Sequence, residues 1–237
     1  MSLSLISNAT AITKNAKVPF QGIGGVSPYT YSVVAGGAGG TINSSTGLYT
    51  APNGYGQDTI KVVDGAAVEA TKTINVLAPI GLVCDIIQKE LGLANGRVWI
   101  FDQKIFEPKD YGMFVVVQEL GCKVFGNSIK EYNGVVSQCT NVQSILSIDA
   151  ISRDTSAMYR KEEIIMALQS VYSEQQQELN SFKLAFIPFG FVNLSNIDGA
   201  AIPYRYNISV NLLYSAMKNK AVDYYDTFED VEILTNG

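Results

Sequence analysis

The sequence has no histidine. That removes the Ser-His-Asp and Cys-His nucleophile systems and every histidine-held metal site. Charge is also scarce. Asp, Glu, Lys and Arg make up 16% of the 237 residues, against about a quarter in an ordinary globular chain. Such a shortage fits a protein that buries surface against partners, and it fits all-β chains too. The net charge is −5 with no basic tail, which argues against a dedicated nucleic-acid binder, since that task needs a clustered positive field. Loose contact with passing DNA is left open. No run approaches the roughly 18 consecutive apolar residues of a membrane span. The start, Met1-Ser2-Leu3-Ser4-Leu5-Ile6, lacks the basic region and apolar length of a signal peptide, so the expected setting is a cytoplasm or a particle assembled there. The three cysteines, Cys84, Cys122 and Cys139, are odd in number and form no C-x-x-C pair. They are expected as reduced, mostly buried thiols.

Motifs for chemistry are equally thin. Gly22-x-Gly24-Gly25 and the run Gly36-Gly37-Ala38-Gly39-Gly40 complete neither G-x-G-x-x-G nor a P-loop, and no helix follows to hold an anion. They read as turns. Asp223, Asp226, Glu229, Asp230 and Glu232 cluster near the C-terminus. A carboxylate pair can serve a hydrolase, but the cluster reads as a solvated strand face or a subunit contact. Its spacing does not match a calcium loop. Trp99 and the 13 tyrosines can build a ligand platform, or simply fill sheet cores and interfaces. We therefore expect no enzyme, no cofactor and no metal.

What is present is a change of character near residue 78. Residues 1–78 carry Lys14, Lys17, Lys61 and Lys72 against Asp58, Asp64 and Glu69, a net of +1, which leaves −6 for the remainder. In this first part short strands are predicted at Leu3–Ile6, Lys17–Phe20, Tyr29–Val34, Gly47–Thr50, Asp58–Val63 and Val68–Val76, split by Gly-, Asn-, Ser- and Pro-rich turns. Strands with turn signals every 8–12 residues predict a sandwich. In Val68–Val76 the even positions should face a core, with Glu69, Thr71 and Thr73 in water. Leu77-Ala78-Pro79-Ile80 is the expected joint, because Pro79 cannot continue a strand ladder.

In the second part, helical spacing of Leu82, Val83, Ile86, Ile87 and Leu91 predicts a helix over Ile80–Leu93. Strands are predicted at Arg97–Phe101, Gly112–Leu120, Lys123–Asn127 and Gln143–Ser152. One long helix is expected from Ser156 to Leu179, capped by Asp154 or Thr155, with Ile164, Ile165, Leu168, Val171 and Tyr172 as its buried stripe. Phe182–Ile187 is read as a strand closed by Pro188. Two long strands, Tyr204–Tyr214 and Val222–Leu234, end the chain. The order predicts an α+β domain over residues 79–237, two main helices packed on a mainly antiparallel sheet. The final two strands supply the candidate site. Tyr204, Tyr206, Ile208, Val210 and Tyr214 on the first, with Tyr224, Tyr225 and Phe228 on the second, are read as a subunit-interface hairpin. Such an arm can extend a neighbour's sheet. The same pair reads equally as the interior of the domain's own sheet.

The first 78 residues resemble bacterial and phage immunoglobulin-like domains. Gly40-Thr41-Ile42-Asn43-Ser44-Ser45-Thr46-Gly47-Leu48-Tyr49-Thr50-Ala51-Pro52 matches G-x-I-x-x-x-T-G-x-Y-T-A-P, and Gly24-Gly25-Val26-Ser27-Pro28-Tyr29-Thr30-Tyr31-Ser32-Val33 matches G-G-x-x-P-Y-x-Y-x-V. The resemblance implies an all-β immunoglobulin-like sandwich over 1–78, without the antibody cysteine pair. Residues 79–237 resemble a neck or tail-terminator protein of long-tailed phages. The features carrying this are the opening helix, Tyr111-Gly112-Met113-Phe114-Val115-Val116-Val117, the middle helix and the terminal hairpin. That resemblance implies a virion structural protein assembled in the host cytoplasm. It implies a ring of identical copies, usually a hexamer, joining tail tube or sheath to the head connector, with DNA passing through the lumen and the first domain decorating the outside. The acidic surplus of the second part would then line the lumen. The alternative implied by the first domain is a host-surface module that binds a glycan or receptor, or a baseplate-type module. No membrane partner is expected.

Overall fold

A computed structural model describes residues 2–101, 108–132, 135–195 and 203–221. The first part contains nine short strands: β1 (Ser4–Ile6), β2 (Ala11–Ile12), β3 (Lys17–Pro19), β4 (Gln21–Ile23), β5 (Thr30–Val33), β6 (Thr41–Ile42), β7 (Leu48–Thr50), β8 (Gly56–Val63) and β9 (Glu69–Val76). One sheet runs β2-β9-β8-β5 and a second β3-β7-β6, with β1 and β4 paired beside them. Both sheets feed one core. Val18 and Tyr49 come from the second sheet, and Ile12, Ile60, Val62, Ile74 and Val76 from the first. Phe20 meets Tyr49 edge-on at 6.0 Å between ring centres, a favourable aromatic geometry. Along β9 the alternation falls as expected at its end, with Ile74 and Val76 buried and Glu69, Thr71 and Thr73 exposed, while Ala70 and Lys72 are half-buried and Val68, before the strand, is exposed.

The Gly40–Pro52 motif is a folding device. Asn43 Oδ1 accepts from the N–H groups of Ser45 and Thr46 at 3.0 and 2.9 Å, which sets the turn. Gly47 follows with φ of 70°, a conformation that suits glycine. A Cβ at Gly47 would overlap the Phe20 carbonyl, and one at Gly40 would overlap the Tyr49 ring. Tyr49 and Ala51 then enter the core. Below Tyr49 lies Asp58, fully buried. It accepts from Tyr49 Oη at 2.5 Å and from the N–H groups of Gly39 and Gly40 at 3.1 and 2.8 Å. One carboxylate thus holds the glycine run against β7.

The second part contains α1 (Pro79–Glu90), β10 (Val98–Ile100), β11 (Phe114–Tyr132), β12 (Val135–Ser152), α2 (Ser156–Leu168), α3 (Val171–Asn180), β13 (Phe182–Ala185), β14 (Val192–Asn193) and β15 (Tyr204–Ala221). Pro79 starts α1 in the first turn, where its missing N–H costs nothing. Leu82, Val83, Ile86 and Ile87 are buried. The sheet order is β10-β11-β12-β15-β13, with β14 also on β15. Only β10–β11 is parallel among these pairs. The helices cover one sheet face, where Val115, Val117, Leu146, Ile148, Ile208, Val210 and Leu212 join α1 and α2 in a second core. Ala11 of the sandwich belongs to this core too. Thr13 N–H donates to Asn180 Oδ1 at 2.7 Å, so the sandwich meets the end of α3. No helix among the described residues is long and apolar enough to cross a membrane.

The fold class differs from the one the sequence led us to expect. The chain is not a sandwich followed by an α+β domain of two main helices on a mainly antiparallel sheet. It is mostly β throughout, with several sheets and, among the described residues, three helices. Two physical reasons account for this. The expected long helix breaks at Gln169–Ser170, where Ser170 Oγ accepts from Ser173 N–H at 3.0 Å and starts α3. The break shifts the helical phase. Val171, expected in the buried stripe, is exposed, while Ile164 and Leu168 stay buried. Conversely, Gly112–Leu120 and Lys123–Asn127, expected as separate strands, are one strand, β11. It is 19 residues long, and β12 and β15 each have 18. At the start of α2, Asp154 Oδ1 accepts from Ser156 N–H at 2.8 Å, and Thr155 makes no side-chain cap.

Candidate assembly surface

Strands this long outrun their core. In β11, Phe114 to Val117 are buried, whereas every residue from Glu119 to Lys130 is exposed. The distal parts of β11, β12 and β15 form a three-stranded arm. From Gly121 to Tyr132 it extends roughly 40 Å at about 3.3 Å per residue. Two bulges, at the Glu119/Gly121 and Phe125/Asn127 shifts, keep the pairing continuous. Gly126 takes φ of 67° at the second, and its carbonyl accepts from Thr140 Oγ1 at 2.9 Å. Bulges of this kind add twist without ending a strand.

Residues directly opposite across a sheet share a face. On the helix side the rows are Cys122–Ser144–Leu212, Val124–Val142–Tyr214 and Asn127–Thr140–Ala216. On the other side they are Lys123–Gln143–Leu213, Phe125–Asn141–Ser215 and Ser128–Cys139–Met217. Leu120, Val124, Phe125, Ile129, Ile145 and Met217 are all exposed, so the arm carries apolar groups on both faces. Its edges are open as well. β10 pairs only with Val115 to Val117, and no strand among the described residues pairs with the outer edge of β11 beyond them. The acidic surplus expected to line a lumen is not on this part of the arm. From Gly121 to Lys130 the charges are Lys123 and Lys130, and β12 carries none from Val135 to Ile148.

At the arm's root, the face away from the helices holds a small apolar cluster and a polar one. Trp99 stacks on Phe114 with centres 4.9 Å apart, against Val116 and Ile151. Beside them Asp149, 3% exposed, receives Arg205 Nε at 3.0 Å and Nη2 at 2.9 Å. Asn207 Nδ2 donates to Asp149 Oδ1 at 3.0 Å and to Ser147 Oγ at 2.6 Å. This bidentate pair locks β12 to β15 where the arm leaves the core. Arg205→Ala should lower stability by about 2 kcal/mol, because it strands a buried carboxylate while the arginine itself is half exposed. A urea titration followed by Trp99 fluorescence reads this, and an unchanged midpoint would show that the pair does not brace the root.

Of the residues predicted as an interface hairpin, Tyr206, Ile208 and Val210 lie buried in the helix-side core, with Tyr204 and Tyr214 packed against it. They sit on β15 between β12 and β13 or β14. Tyr224, Tyr225 and Phe228, with the predicted strand Val222–Leu234 and the acidic cluster, lie outside the described residues. Of the cysteines, Cys84 is buried, Cys139 partly so and Cys122 exposed. Burial pushes the Cys84 thiol up to about 12. No group of three or more Cys, Asp or Glu among the described residues is placed to hold a metal ion.

Sequence reasoning missed the exposed arm residues and a second apolar feature. The loop joining β13 to β14 exposes Phe186 and Phe189, 80% and 99% exposed, and Val192 and Leu194 in and just after β14 are exposed as well. Ile187 and Phe191 of the same loop pack on the core. Leu194 N–H donates to the Arg205 carbonyl at 2.8 Å, and Ser195 Oγ accepts from Arg205 N–H at 2.9 Å. The exposed rings therefore stand on a fixed frame. The available signal was the absence of any charge from Leu184 to Ile197.

No protein-family model matches this chain, and no curated protein does. Among solved structures, a C-terminal 282-residue fragment of intimin, in complex with the intimin-binding domain of the translocated intimin receptor, is similar with a TM-score of 0.29 and 21% identity. The match covers 32% of this chain and 31% of that one. This likeness is too slight to bear on fold or function.

Proposed function

We propose that this protein is a structural subunit that assembles with copies of itself, and that the assembly is a ring at the neck or tail end of a virion. The observation that carries self-assembly is the three-stranded arm, apolar on both faces and open along β11. A monomer that keeps a long, open, apolar strand in water invites edge pairing. A ring of identical copies covers such edges through one repeated head-to-tail contact. The setting in a virion follows from the resemblance of residues 79–237 to neck and tail-terminator proteins. In that setting the product of the fold is geometry, with the sandwich as a projecting module and DNA, tail tube, sheath or head connector as neighbours. Light scattering on the purified chain across a dilution series tests the first step. The expected result is a mass of several subunits that falls on dilution. A mass of one subunit at every concentration overturns the proposal.

A further inference from the structure

Four observations bear on how one copy would hold the next. The first is the size of the exposed aromatic loop. Phe186 and Phe189 are almost wholly in water. At about 150–250 Å² for a phenylalanine, the two expose roughly 300 Å², already the scale of the largest patch on a typical monomer. The second is rigidity. Ile187 and Phe191 anchor the loop in the core, and β14 pairs with β15 beyond it, so little ordering entropy remains to be lost on docking.

The third is charge. The loop is uncharged from Leu184 to Ile197. The helix side of the arm is also uncharged across its three rows from Cys122 to Asn127, where Val124 stands exposed; Ile129, exposed in the next row, shares that row with Gln138 and Lys218. Burying uncharged surface on uncharged surface avoids stranding an ion away from water. The fourth is position. The loop joins β13 and β14, which both lie on one edge of β15, while β11 is the outer strand of the arm on the opposite side of the sheet. Two different patches on opposite sides of one subunit are what a head-to-tail contact needs.

We infer that the Phe186–Phe191 loop of one copy docks on the helix-side face of the next copy's arm, around Val124 and Ile129. This rests on the reading that the chain self-assembles, and it names the two patches that meet. The phenylalanines act as anchors in the manner of interface hot spots. The remaining contact, up to about 800 Å² per partner in a standard interface, comes from the arm alongside.

The structure supplies its own probe. Cys122 is exposed on the target face, two residues from Val124, and Cys84 is buried. Gly190 lies in the loop tip with open space where a Cβ would go. In a Cys139→Ser background, Gly190→Cys treated with a short bismaleimide should give a ladder of covalent oligomers, and Cys122→Ser should abolish it. Oligomers by light scattering without a ladder that depends on Cys122 would overturn the docking while leaving self-assembly standing. No oligomers at all would overturn both. As a second reading, Phe186→Ser with Phe189→Ser should weaken association at least a hundredfold with an unchanged melting temperature. Unaltered association would equally overturn the docking.

Discussion

Asp58→Ala should unfold the sandwich while leaving the second core standing. The change leaves Tyr49 Oη and the N–H groups of Gly39 and Gly40 without their acceptor in a dry site. Each stranded group costs about 1–3 kcal/mol, so the expected loss is on the order of 4 kcal/mol. A module of this size is stable by roughly 4–11 kcal/mol in all. The single tryptophan, Trp99, sits in the other part and reports that part separately. Circular dichroism should lose the sandwich signal well below the temperature at which Trp99 fluorescence changes. Coincident transitions equal to those of the parent chain would show that Asp58 does not hold the module. Tyr49→Phe removes one of the donors to Asp58 and should cost about 1 kcal/mol.

The same carboxylate makes the sandwich sensitive to acid. Burial pushes the Asp58 carboxyl up, but hydrogen bonds from Tyr49 and from the backbone of Gly40, Gly39 and Ala38 outweigh it and hold it below the usual value. Asp64 is held down as well, chiefly by N–H donation from Val26 and Val68. A carboxyl depressed in the folded state contributes stability above its unfolded pKa, about 3.9, and loses it as pH falls through the folded value. Loss should therefore begin near pH 4 and deepen below it. Asp85 of α1, raised by burial, works in the opposite sense.

The second large effect is expected at the arm. Val124→Asp with Ile129→Asp puts two carboxylates on the helix-side face where a neighbour is proposed to sit. Both positions are exposed in the single subunit, so folding stability should change by no more than about 0.5 kcal/mol. Association loses the burial of two apolar side chains, about 1.5–3 kcal/mol each. A loss on the order of 4 kcal/mol weakens association about a thousandfold. Sedimentation velocity should show a monomer with an unchanged melting temperature. An intact oligomer carrying both substitutions would remove this face from the interface.

The sequence and the structure agree where period and burial coincide. Strands β8 and β9 were legible because Ile60, Val62, Ile74 and Val76 alternate with polar residues, whereas the short strands β2, β4 and β6 were not, and Gly22 and Ile23 of β4 read as a turn. Within Gly40–Pro52, the turn at Asn43-Ser44-Ser45 and the strand that follows Gly47 were legible from residue type. The arm was not legible for a physical reason. Gly121 fell between two predicted strands and Gly126 next to the end of the second, yet both lie beside bulges inside one continuous ladder. Nothing in the sequence marked Val124 and Ile129 as exposed, because an apolar side chain carries no mark of whether its partner is its own chain or another. Similarly, Val171 continues the apolar spacing of α2, and only the capping bond of Ser170 reveals that the phase has moved. The exposed phenylalanines of the loop were hidden by the same rule, since Pro188 signalled an end to a strand but not what the rings after it would meet.

Averaged electron micrographs of the purified chain ask the central question outright. Closed, rotationally symmetric particles in which each arm touches the adjacent copy are the predicted result. Solitary subunits with free arms, persisting at high concentration, would contradict the account.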